Sequence, residues 1–408
     1  MDYKGIEYLR RKLEQKRRRV NMRYTFYEAK NVTRDLQIST PPALRGWHTV
    51  LGWNAKAVDS LADRLVFREF TDDVFDFNGI YNLNNRDTLF DSAILGALIG
   101  SCDFIYISQA ENGFPRLQVI DGGNATGIMD PITGLLVEGY AVLEREKNGK
   151  VITEAYFVPG ETWIYRADEE TPEVYTNVAP YPLLVPIVYR PDARRPFGHS
   201  RISRACMEIT ASAIRTVKRA EISAEFFSFP QRWVVGTSPD ADPLDKWRAT
   251  MSSLIEITKD EDGDRPQFGE FAQQSMTPHN EQLRMWASLF AGETGLTVDD
   301  LGFTTANPAS EEAIKAAHEN LRLTARKAQR TFATGFINAG YLAACLRDNQ
   351  TYRREQVYLT TAKWYPVFEP DAAALSGIGD GAIKINQALP GYIDREVMDD
   401  MTGLSGGE

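Results

Sequence analysis

The segment spanning residues 307–346 constrains the fold more than any other part of this chain. From Ser310 onwards, 38 residues contain no proline, and apolar residues recur every three or four positions, as on one face of a helix. Ser310 is a suitable N-cap, and Glu311 and Glu312 place negative charge at the positive end of the helix dipole. The predicted helix is about 57 Å long, which indicates an elongated subunit or the spine of an assembly. Its apolar stripe comprises Ile314, Ala317, Leu321, Ala325, Ala328, Phe332, Phe336, Ala339, Ala343 and Leu346.

The composition is that of a globular chain with an acidic balance. Its 408 residues are 43% hydrophobic and 25% charged, which is enough for a buried core and two or three structural units. The net charge of −10 argues against a tight, sequence-independent nucleic-acid binder, because such proteins gain affinity by placing Lys and Arg on phosphates. An acidic chain still permits DNA to pass without adhering.

The cysteines and the N-terminus give information on the cellular compartment of the protein. Cys102, Cys206 and Cys345 are odd in number and far apart, so we predict buried thiols in a reducing compartment rather than disulfides or a zinc site. No apolar segment follows the basic N-terminus, so we predict no signal peptide. The longest apolar run, residues 93–99, is far shorter than the roughly 20 residues of a membrane span.

Residues 1–45 are predicted to form an N-terminal arm that contains a basic helix. Ile6, Leu9 and Leu13 have helical spacing, and the other faces carry Arg10, Arg11, Lys12, Lys16, Arg17, Arg18 and Arg19. One interpretation is contact with nucleic acid or with an acidic partner surface. The other, which we favour, is a solvated helix kept soluble by its charges.

The next part of the chain has the pattern of an α+β body. Helical spacing covers residues 47–67 and 87–100. Asn112-Gly113 and Asn148-Gly149 each lie between strand-like runs, and Asn-Gly in that position is a specific hairpin signal. We therefore predict an antiparallel sheet beside helices. The predicted strands are residues 103–108, 117–120, 135–144, 151–158 and 162–166.

Two long helices are predicted to flank a small inserted piece. An extended, proline-rich connector (residues 180–196) leads into a helix that Gly198 and Ser200 open and that stops before Pro230. Residues 230–277 depart from helical spacing and are predicted to contain two strands (residues 232–235 and 268–271), a short helix (residues 243–257) and an acidic turn. Helix resumes at residue 278.

A loop precedes the long helix, and a C-terminal tail follows it. The loop covers residues 295–309. After Arg347, the tail is predicted to hold a strand over residues 356–361, an extended Trp364-Tyr365-Pro366 segment and two short helices.

The sequence shows no catalytic or metal-binding constellation. Gly377-x-Gly379-x-Gly381 lacks the strand and the Lys-Ser/Thr of a phosphate loop, so we predict a flexible turn there. The acidic clusters at residues 72–76 and 260–264 are predicted to be solvated turns rather than calcium loops. The histidines, His48, His199, His279 and His318, have no metal-ligand spacing. We therefore predict no enzyme activity, metal or cofactor.

Several segments, in order along most of the chain, resemble tailed-bacteriophage portal proteins. RRPFGHSRIS from Arg194 is similar to the segment that leads into the first stem helix of that family, and NPASEEAIKAAHENL from Asn307 resembles the start of its long wing helix. WNAKAVDSLADRLVF from Trp53 and DSAILGALIGSCDFIYI from Asp91 resemble the wing, and Trp364-Tyr365-Pro366 fits the strand after the helix. Glu311 departs from the glycine often found there, and the C-terminal crown looks short.

The resemblance implies an α+β portal fold with a defined order of parts. After the arm come the wing (residues 46–205 and 310–347), two stem helices (206–228 and 278–294) and an inserted clip (229–277). A tunnel loop (295–309) precedes the spine helix, and residues 348–408 form the C-terminal wing or crown segment.

The resemblance also implies a biological setting. The expected assembly is a dodecameric ring of this chain at one vertex of the capsid, through which double-stranded DNA is packaged and ejected. The expected partners are the terminase large subunit, the head-tail adaptor and a scaffold or major capsid protein. The ring would belong to the virion and assemble in the cytoplasm of the bacterial host.

Three groups of residues are candidates for function within that frame. The tunnel loop is predicted to touch DNA through shape rather than strong charge, by way of Val298, Asp299, Asp300, Leu301, Phe303, Thr304 and Thr305. On the first stem helix, Arg215, Lys218 and Arg219 lie off the apolar stripe. One interpretation is that they face the bore of the ring. The other, which we favour, is that they face solvent or pair with Glu221 and Glu225 of a neighbouring subunit. In the clip, Arg232, Trp233 and Trp247 are docking candidates or clip core.

Two other classes of protein are also compatible with the sequence. One is an enzyme, such as a hydrolase with an unrecognised site, which would need a convergent polar cluster. The other is a non-viral scaffold protein built on helical rods.

Overall fold

The computed structural model describes residues 3–34, 46–227, 232–235, 267–270, 275–303, 316–368 and 370–404. The chain divides into two compact units. The first, here called the body, comprises Met1–Asn31, Gly52–Met207 and Ala291–Glu408. The second, the stem unit, comprises Val32–Leu51 and Glu208–Phe290.

The described part of the body is a mixture of helices and antiparallel strands, which confirms the predicted α+β class. Its helices are α1 (Ile6–Tyr27), α2 (Trp53–Ala62), α3 (Phe77–Asn82) and α4 (Arg86–Gly100), followed later in the chain by α7 (Glu319–Arg347), α8 (Ala372–Ala388) and α9 (Arg395–Thr402). Its strands are β1 (Phe67–Thr71), β2 (Cys102–Gln109), β3 (Pro115–Ile120), β4 (Ala125–Met129), β5 (Leu136–Arg145), β6 (Val151–Val158), β7 (Glu161–Arg166), β8 (Glu173–Thr176), β9 (Leu184–Val188) and β12 (Thr361–Trp364).

Three antiparallel sheets organise these strands. One has the order β4-β5-β6-β7-β8, another has β3-β2-β9, and the third pairs β1 with β12. The five strands predicted from the sequence are all present, as β2, β3, β5, β6 and β7. The remaining elements are α5 (Arg204–Phe227), the strands β10 (Arg232–Val235) and β11 (Gln267–Glu270), and α6 (Thr277–Thr294).

The long helix α7 buries the stripe that its sequence predicts. It spans 29 residues, or about 44 Å, and its stripe from Leu321 to Leu346 is buried. It is shorter than predicted, because a turn at His318 separates it from the residues before it and Ala317 is exposed. The predicted N-cap Ser310 lies outside the described residues.

The centre of the body is packed around α4 and α7. Apolar residues occur on nearly every face of α4, which therefore packs between α1, α2 and strand β2. Gly96 of α4 lies where the buried carboxylate of Asp103 approaches, since a Cβ at position 96 would meet Asp103 Oδ2 at 1.8 Å. The helix and the strand can therefore approach this closely only because residue 96 is glycine.

The N-terminal helix α1 is docked on the body and is not a solvated arm. Leu9 and Leu13 are buried in one cluster with Tyr140 and Val142 of β5. The buried carboxylate of Glu138 accepts hydrogen bonds from the backbone N–H groups of Lys4 (2.9 Å) and Gly5 (3.1 Å). These N–H groups at the helix start have no partner within the helix, so Glu138 satisfies them from a strand far along the chain.

Several cations of α1 are used within the chain, which contradicts the favoured solvated interpretation. Arg10 pairs with Glu154, and Lys12 Nζ donates to the carbonyl of Gly127 at 2.6 Å. Lys16 Nζ lies 3.1 Å from Cys102 Sγ and 3.1 Å from the carbonyl oxygen of Ala125. The strands β2, β4 and β6 that these groups contact are remote in sequence, so helical spacing alone could not show the docking. Arg11, Arg18 and Arg19 are exposed, as predicted.

Three other predictions from local pattern are wrong, and a fourth, the extended connector over residues 180–196, is incomplete. The helix predicted over residues 47–67 is only α2, and strand β1 begins within that range. The connector over residues 180–196 contains β9, whose residues are all buried; Pro186 is tolerated there because β9 is an edge strand. Residues 354–357 form a 3₁₀ turn and the strand is instead β12. The glycine run at 377–381 lies inside α8.

Cys102, Cys206 and Cys345 are free and buried, which confirms that part of the prediction. Burial raises the pKa of each thiol above its usual range. Among the described helices, none is both long enough and apolar enough to cross a membrane.

Candidate functional site

The loop between α6 and α7 forms a compact turn at its start. Leu296 is buried and anchors it, and a 3₁₀ turn covers Asp299–Leu301. Asp299 is exposed, while Val298, Leu301 and Phe303 are half-buried. Thr304 and Thr305, the other predicted loop contacts, lie outside the described residues.

Asp300 has a structural role in this loop that the sequence did not indicate. Its Oδ2 accepts hydrogen bonds from the backbone N–H of Thr297 at 2.8 Å and from its hydroxyl at 2.9 Å. The same oxygen lies 3.8 Å from Nδ1 of His318, at the start of α7. Asp300 therefore holds the turn and connects it to the long helix, so Asp299 is the loop carboxylate that faces solvent.

The predicted stem cations differ from one another in environment. Arg215 donates to the hydroxyl of Ser212 at 2.8 Å, one turn earlier on α5. Arg219 is half-buried. Lys218 is only 7% exposed, so its predicted place off the buried face of the helix is wrong. Within this group, only Arg215 and Arg219 are therefore partly exposed.

Within the stem unit, α5 packs against α6 through polar contacts. Trp286 Nε1 donates to Thr216 Oγ1 at 3.1 Å, and Ser223 Oγ lies 3.4 Å from His279 Nε2. Glu221 accepts hydrogen bonds from Trp47 Nε1 at 2.9 Å and from Thr49 Oγ1 at 2.5 Å. The carboxylate that we considered as a partner for a neighbour's cations is therefore already hydrogen-bonded in its own chain.

The inserted piece contains the two strands predicted for it. β10 and β11 pair antiparallel, with Arg232 opposite Glu270 and Trp233 opposite Gly269. Trp247 and the predicted short helix lie outside the described residues. The docking roles of Arg232, Trp233 and Trp247 therefore stay predictions.

A charged surface on α7 was missed by the sequence reasoning. Arg326, Lys327 and Arg330 are exposed on one face of the helix; we call these three residues the basic stripe. The signal was present in the sequence, since Glu319–Arg347 contains five basic residues and one carboxylate.

A cavity of about 390 Å³ lies beside the basic stripe. Arg201, which is only 7% exposed, lines it and is held by the carbonyl oxygens of Ala57 (3.2 Å from Nε) and Thr294. The cavity is bounded by Arg190, Arg201, Gly292, Glu293, Thr294, Gly295, Asn320, Leu323, Thr324 and Lys327. Three cations and one carboxylate give it a positive character. Within the described ranges, no cluster of three His, Cys, Asp or Glu side chains is arranged to hold a metal ion.

Comparison with known proteins gives relatives that span most of the chain. No protein-family model matches it. The portal protein of Mycobacterium phage D29 is 24% identical over 397 residues, which cover 91% of this chain and 80% of the relative. The portal protein of Mycobacterium phage L5 is 23% identical over 400 residues, which cover 91% of this chain and 79% of the relative.

Solved structures with a similar chain path come from gene transfer agent (GTA) particles. A chain in the neck of the empty particle, computed with C6 symmetry, has a TM-score of 0.49 at 13% identity and covers 93% of this chain and 98% of its own length. A chain of the native virion has a TM-score of 0.46 at 14% identity and covers 95% of this chain and 100% of its own length.

The two sequence relatives match this chain over nearly its whole length. Both alignments extend over 91% of the chain, so they include the body and the stem unit as well as the five segments that first suggested the resemblance. The resemblance to portal proteins predicted from the sequence is confirmed by these two relatives, which share 24% and 23% identity with this chain.

Proposed function

We propose that this chain is the structural subunit of a portal, a ring at one capsid vertex that serves as the conduit for viral DNA and as the head-tail connector. The observation that carries the proposal is the alignment with two portal proteins over 91% of the chain. A structural role, rather than catalysis, is the function that those relatives' names support.

The order of elements supports the same proposal. A mixed body is interrupted by two helices, α5 and α6, that flank the paired strands β10 and β11. The loop of residues 295–303 then leads towards the long helix α7. This is the order of wing, stem, clip, tunnel loop and spine that the family resemblance implies.

The charge of the chain suits a channel through which DNA slides. Each Lys or Arg that settles on a phosphate adds affinity by counterion release, and a ring repeats every contact in each subunit. A chain with net charge −10 limits that adhesion. In the tunnel loop, Asp299 is exposed and Val298, Leu301 and Phe303 are partly so, which suits contact with DNA through shape rather than through strong charge.

The assembly that we propose is a homo-oligomer, with twelve copies expected. Double-stranded DNA, the terminase large subunit, the head-tail adaptor and a scaffold or major capsid protein are its proposed partners. The ring would be part of the virion and would assemble in the host cytoplasm.

Electron microscopy of the purified chain in negative stain tests the proposal. We expect rings with a central hole about as wide as a DNA duplex. A solitary compact particle at every protein concentration would contradict the portal function and would favour an enzyme or another monomeric class.

A deletion tests the tunnel loop separately. Removing residues 299–305 should leave rings intact in the microscope, because the anchor Leu296 and the helix α7 remain, but capsids assembled with this variant should contain little DNA. Asp299→Asn, which removes one charge and keeps the loop, is the matched control and should package normally. Normal genome filling by the deletion variant would refute the role of the loop.

A further inference from the structure

Within the described residues, the basic stripe is an exposed surface without an ion-pair partner. Arg326, Lys327 and Arg330 recur at helical spacing on α7, so they share one face. Leu323, which is 52% exposed, lies on the same face one turn earlier. In the described part of the chain, none of the three cations has a carboxylate oxygen within 4.0 Å, whereas Arg322 beside them pairs with Glu319. The stripe is thus a run of positive charge with an exposed apolar side chain at its N-terminal end.

The adjoining cavity extends this positive surface inwards. Lys327 and Leu323 form part of its wall, together with Arg190 and the buried Arg201. Arg201 is fixed by backbone carbonyl groups rather than by a carboxylate. The one carboxylate in the wall, Glu293, accepts a hydrogen bond from Ser203 at 2.8 Å. Like charges held on a rigid frame repel, so carboxylates brought from outside would lower the electrostatic energy of this surface.

A second, oppositely charged surface lies at the ends of α2 and α4. Asp63, Asp87 and Asp91 are exposed there; we call these three residues the acidic corner. Partial burial, and then the charges of Asp87 and Asp63, raise the pKa of Asp91, which indicates mutual repulsion. Arg86 lies 3.1 Å from Asp87. Arg64 donates to the carbonyl of Ser60 at 2.5 Å.

The two surfaces do not neutralise each other within one copy. No ion pair joins the basic stripe to the acidic corner among the described residues, and Arg86 is the one cation there that contacts the corner. A ring built by head-to-tail contacts requires two different, complementary surfaces on each subunit. Copies that each carry a net charge of −10 also repel one another, so a local attraction must offset that repulsion.

We propose that the basic stripe of one copy docks on the acidic corner of the next copy in the ring. This inference rests on the proposed portal function and adds to it the surface through which neighbouring bodies meet. Leu323 would add an apolar contact at one end of the stripe, and the charges would fix partner orientation and speed association. A second copy is favoured over DNA as the occupant, because it supplies carboxylates for the stripe and cations for the corner at once.

Charge reversal tests the pairing. One variant carries Arg326→Glu, Lys327→Glu and Arg330→Glu, and a second carries Asp63→Lys, Asp87→Lys and Asp91→Lys. A third carries all six substitutions. A control carries Arg11→Glu, Arg18→Glu and Arg19→Glu, which change exposed cations of α1 by the same total charge. Assembly is measured by mass photometry and sedimentation velocity at low and high salt, and folding by circular dichroism.

The expected result is loss of rings in each single-surface variant and their return in the six-substitution variant, with the control assembling like the natural chain. Raising the salt concentration should shift the natural chain towards smaller species. If either single-surface variant still forms rings, or if the six-substitution variant does not, the proposed pairing is wrong. Rings formed by the natural chain would still support the portal proposal. Absence of rings from the natural chain would overturn both. Weaker binding of a DNA duplex by the stripe variant, with rings retained, would assign the stripe to DNA instead.

Discussion

The ring of Phe90 in α4 stacks on the ring of Phe336 in α7, with centroids 3.9 Å apart and planes inclined by 27°. Both side chains are almost completely buried. Tyr81 joins them, since its ring centroid lies 4.9 Å from that of Phe90. Tyr81 also donates a hydrogen bond of 2.6 Å to the carbonyl of Phe336. The long helix is therefore fixed to the body by an aromatic cluster, and not only by its aliphatic stripe.

Phe336→Ala should be among the most destabilising single changes in the body. It removes a buried ring and leaves a cavity between α4 and α7, at a cost of about 3–5 kcal/mol in the free energy of unfolding. Leu83→Ala, at a side chain that is 72% exposed, should cost far less. Urea denaturation followed by circular dichroism measures both, and similar costs for the two variants would contradict the packing described for Phe336.

Two glycine-to-alanine changes within helices should have opposite signs. In α4, Gly96→Ala would place a Cβ 1.8 Å from the buried carboxylate of Asp103, so we expect a lower melting temperature. In α8, a Cβ at Gly377 meets no atom within 4 Å. Gly377→Ala should therefore raise the stability of that helix by up to about 1 kcal/mol through helix propensity. Thermal unfolding of the two variants in parallel tests the contrast; stabilisation by Gly96→Ala would show that Asp103 does not occupy this position.

The buried Asp103 should make stability depend on pH. Burial, and then the charge of Asp121, raise the pKa of this carboxyl well above its usual range, although the N–H of Gly122 donates to it at 2.9 Å. Because its folded pKa is above the unfolded one, its contribution to stability is present at low pH and is lost as pH rises through the folded value. Asp103→Asn should therefore stabilise the chain relative to the natural one, and more so at about pH 8 than at about pH 5.

Asp130 supplies a control of opposite sign. Hydrogen bonds from the backbone of Ile132 and from the Thr133 hydroxyl lower the pKa of Asp130. Its contribution is therefore present above the usual pKa of a carboxyl and is lost as pH falls. Asp130→Asn should lower stability at neutral pH, with an effect that fades in acid. Urea titrations across the pH range test both variants; a pH-independent difference for Asp103→Asn would contradict its buried ionisable state.

The docking of α1 predicts its resistance to protease. Leu13 is 3% exposed and packs against β5. Leu13→Asp would bury an unpaired charge, so the helix should detach and its arginine and lysine residues should become sensitive to trypsin. Gln15→Asp adds the same charge at an exposed position and should leave the cleavage rate near that of the natural chain. Rapid cleavage of α1 in the natural chain would mean that it is a free arm after all.

The sequence alone determined the elements whose signals are local. The stripe of α7 from Leu321 to Leu346, the periodicity of α5, and the five central strands all follow from side-chain spacings of 3.6 or 2 residues. The resemblance to portal proteins also came from short segments in the right order. Each of these features depends on residues that are close together in the sequence, so it can be recognised without the tertiary structure.

Only the tertiary structure decided which distant surfaces meet. Thr71 and Thr361 share a hydrogen bond of 2.7 Å in the β1–β12 pair across 290 positions of sequence. Glu138 on β5 accepts a hydrogen bond from the backbone at the start of α1, and Asp300 accepts one from the backbone of its own loop. Such contacts form because burial and hydrogen bonding are satisfied in the whole fold at once. The local pattern around each residue is compatible with several partners, and the packing of the chain selects one of them.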